Sequence, residues 1–324
     1  MLEILIDNRN GNVWDISEIV SEAKWKTSRI GKPGEFEFTL IKNGGNIKDF
    51  KYENGNIVRV RYQQNGTWHN IFYGYVFEIE EGKNEAKIKC YDQTRYLMFK
   101  DTYVFKNVTA TDVVRRIAND FGLVTGKLAN TGYRIPSMVE DNKKLMDIIC
   151  KALDHTLINT NIIYNFFDDF GKLTLKDARD MLVLISIGDA SLLYDYTYKR
   201  SIDSDTYNRV KLVQDNKKTG KRDVYIAQDS KNIAKWGVLQ LYEKVEENKN
   251  AAQIKELLNQ LIKLKNREEK SLKLPAIGDP RIRAGCYIPV TISDLKINQA
   301  FIVNECTHKF DGADHTMDLE VKVI

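Results

Sequence analysis

The sequence predicts a mainly β protein of the α+β class: two antiparallel β-barrel domains, a small α+β domain inserted between them, and one long amphipathic helix. Three observations predict it. Period-two alternation of apolar and polar residues fills both ends of the chain, helical spacing appears only in the middle and again near Leu257, and a three-strand pattern near the start is written again near the end. Period two buries one face of a strand, whereas spacing of i, i+3, i+4, i+7 buries one stripe of a helix.

Residues 1–105 read as the first barrel. Leu2 to Ile6 turns at Asn8-Arg9-Asn10-Gly11, Ile19 to Trp25 follows, and Gly31-Lys32-Pro33-Gly34 leads into the alternating Phe36-Glu37-Phe38-Thr39-Leu40. Asn65-Gly66, between Tyr62 and Trp68, signals a hairpin, because a type I′ turn needs positive φ at both central residues. Six or more such strands suggest a closed or nearly closed barrel.

The repeated pattern starts here. Val58, Val60 and Tyr62 alternate with Arg59 and Arg61, Gly74-Tyr75-Val76-Phe77-Glu78 follows, Gly82 turns the chain, and Ala86, Ile88 and Cys90 alternate with Lys87 and Lys89. Near the end, Ile288, Val290 and Ile292 alternate with Pro289 and Thr291. Phe301-Ile302-Val303-Asn304-Glu305 comes next, then Gly312, then Met317, Leu319, Val321 and Val323. Both copies place Val-x-Glu at the matching point, Val76/Glu78 and Val303/Glu305. Two unrelated meanders can also share such alternation, so duplication and coincidence both stand at this level.

Residues 106–190 read as the α+β insert. Thr109 is a candidate N-cap with Asp112 three residues on, and Val114, Ile117 and Phe121 share a helical face before Gly122. Leu145, Ile148, Ile149 and Ala152 mark a second helix. Ile162 to Phe167 then turns at Asp168-Asp169-Phe170-Gly171 and returns through Leu173-Thr174-Leu175.

Residues 191–324 read as the second barrel with a helical insertion at about 229–269. Strands resume from Tyr194, with Asn208 to Gln214, a Lys217-Lys218-Thr219-Gly220 turn and Asp223 to Ala227. A helix from about Asn248 to Glu269 carries Ile254, Leu257, Leu258 and Leu261 on one face.

Composition bounds the function. A chain of 324 residues, 43% hydrophobic and 29% charged, can hold two or three cores. With 49 Lys+Arg against 45 Asp+Glu, the net charge of +4 is too thin for a dedicated nucleic-acid binder. The longest apolar run, about Met181 to Ile185, is far short of a membrane span, so no membrane anchoring is expected. Met1 to Asp7 is strand-like and acidic, so no secretory signal is expected either. Cys90, Cys150, Cys286 and Cys306 are widely spaced and read as reduced core residues of a chain made in a cytoplasm.

Candidate chemistry is sparse. His308 and His315 flank a turn with Asp311 and Asp314, which could hold zinc or iron; the competing account is a polar hairpin tip turned by Asp311-Gly312, where the histidines hydrogen-bond locally. Asp169-Phe170-Gly171 matches a kinase tripeptide in letters only, and a hairpin turn explains it. Gly126-Lys127 lacks the earlier Gly of a phosphate-cradling loop. Glu78, Glu80 and Glu81 could supply a general acid, but Glu78 and Glu80 share a strand face as a solvated or subunit-facing row would. Lys263, Lys265, Arg267, Lys270 and Lys273 are interrupted by Glu268 and Glu269 and read as a solvated helix face. No catalytic, cofactor-binding or metal-binding residue is therefore assigned, and the chain is expected to be a structural component rather than an enzyme.

Several phrases resemble a known family. They are Lys89-Cys90-Tyr91-Asp92-Gln93-Thr94-Arg95-Tyr96-Leu97, Lys100-Asp101-Thr102-Tyr103-Val104-Phe105 with Thr109-Ala110-Thr111-Asp112, and Asp168-Asp169-Phe170-Gly171-Lys172-Leu173-Thr174-Leu175. To these add Asn208-Arg209-Val210-Lys211-Leu212, Gly237-Val238-Leu239-Gln240 and Thr307-His308-Lys309-Phe310. Together they resemble the baseplate hub proteins of contractile phage tails and phage-tail-like particles from Gram-positive bacteria. The resemblance implies a homotrimer at the end of the tail tube, in which three chains present six barrels to a six-fold tube and meet a three-fold spike. It further implies tape-measure and baseplate wedge proteins as partners, a place in the virion or tail-like particle after synthesis in the host cytoplasm, and contact with DNA only by passage through a channel. No cofactor is implied. The alternatives are a tail-associated cell-wall hydrolase on a barrel scaffold and a free-standing ligand-binding barrel.

Overall fold

The computed structural model describes residues 1–42, 50–189, 191–193, 195–216, 220–245 and 249–322. Tyr194, the Lys217-Lys218-Thr219 turn, Asn248 and Val323 lie outside the described residues.

Seven strands build the first half: β1 (Leu2–Asp7), β2 (Val13–Asp15), β3 (Val20–Ser28), β4 (Glu35–Ile41), β5 (Ile57–Gln64), β6 (Thr67–Glu81) and β7 (Glu85–Tyr91). They pair in the order β2-β1-β5-β6-β7-β4-β3. The sheet curls so that Ile4, Ile6, Trp25, Phe36, Phe38, Val58, Val60 and Ile88 meet in one core, with no ladder between β2 and β3. Asn65 and Gly66 take φ of 49° and 78°, as the hairpin between β5 and β6 requires. Gly74 is needed for space: a Cβ there would stand 2.3 Å from the Tyr91 carbonyl oxygen.

The insert comprises β8 (Lys100–Thr109), α1 (Ala110–Asp120), β9 (Thr125–Leu128), β10 (Arg134–Lys144), α2 (Leu145–Thr160), β11 (Tyr164–Asp168) and β12 (Leu173–Asp177). Thr109 and Asp112 form a reciprocal capping box at the start of α1, as their spacing predicts. Helices α1 and α2 bury Val113, Val114, Ile117, Leu145, Ile148 and Ile149 against Phe105, Ile135 and Leu175. Among the described residues β8 pairs with β10 alone, so the strand that crosses residue 105 lies outside the sheet of β1 to β7.

The last part holds β13 (Ile187–Gly188), β14 (Thr197–Ser201), β15 (Arg209–Asn216), β16 (Lys221–Gln228), α3 (Ser230–Trp236), β17 (Gln240–Lys244), α4 (Ala251–Lys265), β18 (Glu269–Ile277), β19 (Tyr287–Ile292), β20 (Ile297–Asp311) and β21 (Asp314–Lys322). The order β14-β18-β21-β20-β19 repeats β3-β4-β7-β6-β5, all antiparallel; β13 then adds parallel to β19. The likeness reaches detail. The ladder slips at Val76/Glu78 between β6 and β7 and at Val303/Glu305 between β20 and β21, so both Val-x-Glu sequences are β-bulges. Beside each bulge the incoming chain makes the same two bonds. Gly55 N donates to Val76 O at 2.8 Å and Val76 N to Asn56 O at 2.9 Å. Gly285 N donates to Val303 O and Val303 N to Cys286 O, both at 2.8 Å.

Two elements differ from the sequence expectation. β15 and β16 do not belong to the second barrel; with β17 they form a separate three-stranded sheet, β16-β15-β17, covered by α4. Val210 and Leu212 pack against Ile254, Leu258 and Leu261 in a core of their own. The physical reason is α4, whose apolar stripe takes up the buried face of that sheet. The helix itself stops at Lys265 rather than at about Glu269, and Lys270 and Lys273 lie on β18 rather than on a helix face.

Candidate functional site: a seam between matching sheets

The two halves are joined strand to strand. β3 pairs antiparallel with the second part of β20, from Glu305 opposite Ser28 to Asp311 opposite Glu22, which makes one sheet of thirteen strands. The bulge at Val303/Glu305 lets the 15-residue β20 serve β19 with its first part and β3 with its second.

One face of this sheet is a lattice of charge. A single row runs Thr316, Lys309, Lys24, Glu37, Lys89 and Glu78 across β21, β20, β3, β4, β7 and β6. Lys89 lies 2.7 Å from Glu37 and 3.3 Å from Glu35, and the bond to Glu37 holds its ammonium above the ordinary lysine range. Lys309 pairs with Asp318 at 2.6 Å, and Glu305 with Lys32 at 2.7 Å and Lys26 at 3.8 Å. Opposite charges in adjacent strands fix register more than they add stability.

The other face buries the histidines. His308 is wholly buried and stacks on Trp25 with ring centroids 5.0 Å apart; His315 stacks on Phe310 at 4.4 Å and meets Tyr62 edge-on. The hairpin tip does turn between Asp311 and Asp314, but its histidines are not at a polar tip. They share strand parity with Cys306 and Phe310 and so point inward. His308 Nε2 lies 2.8 Å from the Ile282 carbonyl, which can only accept, so the proton is on Nε2. Nδ1 then accepts from His315 Nε2–H at 2.9 Å. That leaves His315 Nδ1 without a partner among the described residues. Burial pushes both imidazoles down, to about 4 for His308 and about 3 for His315, where the neighbouring ring adds to it. Among the described residues no group of three or more His, Cys, Asp or Glu is arranged to hold a metal ion.

The insert docks against the same seam. Asp92 accepts from Gly34 N and Thr94 N, Asp168 accepts from Gln93 Nε2 at 2.8 Å, and Arg283 donates to the Asp168 carbonyl at 3.0 Å while its guanidinium lies 4.1 Å from the Phe167 ring. Burial raises both carboxyls, and the charge of Asp168 raises Asp92 further. Asp169-Phe170-Gly171 is a turn, with Phe170 and Gly171 at positive φ, and Phe170 meets Tyr73 of β6 edge-on. Trp25, Asp92 and Arg283 carry this junction and were not singled out from sequence.

The other sequence candidates do not converge. Glu78 and Glu80 lie on the charged face beside Lys87 and Lys89, while Glu81 is held by Lys42 and Tyr52. Gly126-Lys127 is part of β9. Of the basic cluster, Lys263 and Lys265 lie on α4, Arg267 in the connection and Lys270 and Lys273 on β18, and Lys265 pairs with Asp205. Cys90, Cys286 and Cys306 are buried and Cys150 is half-buried, all as free thiols. No helix among the described residues is long and apolar enough to cross a membrane.

The YqbQ-like family model matches residues 23–322. The YqbQ protein of Bacillus subtilis is 32% identical over 308 residues, covering 94% of this chain and 92% of that protein. The XkdQ protein of the phage-like element PBSX, from the same organism, is 31% identical over 309 residues, covering 94% and 93%. Among solved structures, a tail protein from Neisseria meningitidis superposes with a TM-score of 0.71 at 11% identity, covering 99% of this chain and 96% of that one. The 43 kDa tail protein of prophage MuSo2 from Shewanella oneidensis gives 0.69 at 14% identity, covering 98% of both chains. The chain belongs to the YqbQ-like family, together with a protein of a phage-like element, and carries the fold of prophage tail proteins.

Proposed function

We propose that the chain is a structural baseplate hub of a contractile tail or tail-like particle, acting as a three-copy ring that adapts a six-fold tail tube to a three-fold spike. One observation carries the reading. The strand order β3-β4-β7-β6-β5 returns as β14-β18-β21-β20-β19 with its bulge in place, and the two halves already lie edge to edge in one chain. Two near-equivalent sheets per chain allow a three-fold ring to offer six similar surfaces to a tube. The first half, the second half and the insert act as separate modules of the hub, with the β16-β15-β17 sheet and α4 as a fourth.

Tube and spike proteins are the expected direct partners, and tape-measure and baseplate wedge proteins complete the surroundings. If the charged sheet face lines the ring, its interleaved Lys24, Glu37, Lys89 and Glu78 give DNA no basic stripe to grip, which suits passage rather than binding. The role is structural and needs no turnover. The test is electron microscopy of the assembled particle: three copies at the tube end, with the two halves superposing, support the hub, whereas six copies or halves set at unrelated positions around the axis overturn it.

A further inference from the structure

The two matching sheets differ at their edges. On β20, the stretch Glu305–Asp311 has β21 along one edge and β3 along the other. On β6 the matching stretch, Glu78 to Glu81, has β7 along one edge, but β5 and the Asn56 bond end by Val76 on the other. No backbone partner follows there among the described residues. Among the described residues β14, which stands to β18 as β3 stands to β4, pairs on its β18 side alone. Among the described residues, one half therefore shows an unfilled acceptor edge and the other an unused donor strand.

The ladders fix which residues correspond. Trp25, Phe36, Cys90 and Val76 form one row across the first half, and Tyr198, Leu272, Val321 and Val303 form the matching row across the second. Trp25-Lys26-Thr27-Ser28 thus matches Tyr198-Lys199-Arg200-Ser201, and Glu305 matches Glu78. We infer that β14 of one copy adds antiparallel to the Glu78–Glu81 edge of β6 in the next copy, with Ser201 opposite Glu78 and Lys199 opposite Glu80, repeating between chains the β3–β20 pairing made within each chain. This rests on the ring reading above and names the surface that such a ring uses.

Charge fits the pairing. Lys199 and Arg200 are exposed on the donor, and Glu78 and Glu80 are exposed on the acceptor. Within the chain, Lys26 reaches Glu305 at 3.8 Å; Lys199 and Glu78 occupy those same two places. Main-chain bonds of an added strand supply affinity, and the facing side chains supply register. Donor and acceptor are different surfaces, so the contact runs head to tail and closes when the rotation permits. Left bare, both edges invite pairing with the wrong chain.

The test pairs Ser201→Cys with Glu78→Cys in the full-length chain within its particle. Directly opposite residues stand about 4.5–5.5 Å apart at Cα, within reach of a disulfide. Oxidation is expected to join chains into a covalent set of three, while neither single variant crosslinks. Lys199→Glu is expected to cut the yield of rings, and Glu78→Lys with Glu80→Lys in the same chain to restore it. Three copies in the ring without crosslinks or charge effects would overturn this pairing and leave the hub reading intact. Any other copy number would overturn both.

Discussion

Acidification tests the buried histidine pair. His308 and His315 stay neutral in the folded chain, down to about 4 and about 3, while an imidazole in the unfolded chain titrates near 6.5. The unfolded chain therefore binds more protons than the folded chain from roughly pH 6.5 down to about pH 4, and stability falls as pH falls through that window. Each pKa unit is worth about 1.4 kcal/mol, so His308 alone removes about 2 kcal/mol between about pH 6.5 and about pH 5. His315 acts in the same direction, and its protonation would put a new donor at Nδ1 with no acceptor beside it among the described residues. The surrounding groups matter to the sign. Asp279 faces both rings and favours their charged forms, and the chain's amino terminus opposes the charge on His315. The raised carboxyls of Asp92 and Asp168 oppose the trend, because they make the folded chain the tighter proton binder on acidification. A double variant, His308→Gln with His315→Phe, isolates the histidines, since the carboxyls are common to both proteins. Urea unfolding followed by tryptophan fluorescence at several pH values between about 7.5 and 5 reads the difference. The wild type should lose about 2 kcal/mol or more relative to the variant over that range. Parallel profiles would refute the buried neutral pair.

Other expectations are simpler. Thr109→Ala removes the side-chain acceptor of the Asp112 N–H at the start of α1, leaving the Thr109 backbone bond to Asp112, and should cost about 1 kcal/mol, read from the urea midpoint. Gly74→Ala drives a methyl into the Tyr91 carbonyl and should cost about 1–3 kcal/mol, read as a lower Tm; an unchanged Tm would mean that β6 and β7 separate freely there. Leu212→Ala should cost about 2–5 kcal/mol, with hydrogen exchange rising in β15, β16, β17 and α4 but not in the thirteen-stranded sheet. Chelators should leave Tm unchanged, and a fall restored by zinc would contradict the hydrogen-bonded account of His308 and His315.

What could be read from the sequence was what neighbours in the chain decide. Thr109 with Asp112, the Asn65-Gly66 turn and the alternation of Ala86, Ile88 and Cys90 are short-range, and each is where the structure has it. The Val-x-Glu repeat was visible, though its meaning as a pair of bulges needed the ladders. Period-two alternation shows that a strand has a buried face but not which sheet receives it, so Val210 and Leu212 looked like barrel residues until α4 was seen to cover them. His308 does hydrogen-bond locally, to His315, but its place at a polar tip was misjudged for a different reason. Its parity with Cys306 and Phe310 pointed inward, while its polarity and the nearby Asp311 pointed to a tip. The β3–β20 seam was out of reach because an edge strand's own sequence does not name its partner. The match of Trp25-Lys26-Thr27-Ser28 to Tyr198-Lys199-Arg200-Ser201 was present in the sequence but is too short to notice without the row alignment.

The seam also sets a problem of timing during synthesis. Lys32 and Glu305, bonded across it, are separated by 273 positions. At roughly 5–20 residues per second, β3 waits on the order of 10–60 s after leaving the ribosome before β20 exists to cover it. Throughout that interval its outer edge, with Trp25 and Ala23 behind it, offers unpaired amides and carbonyls to any other nascent chain in the same state. The charges of Glu22, Lys24 and Lys26 along β3 are then gatekeepers as well as register marks, keeping the strand soluble until the far end of the sheet arrives. Contacts of such separation also slow folding, because the chain entropy must be lost before the ladder forms. β3 thus depends on a partner strand made about 273 residues after it.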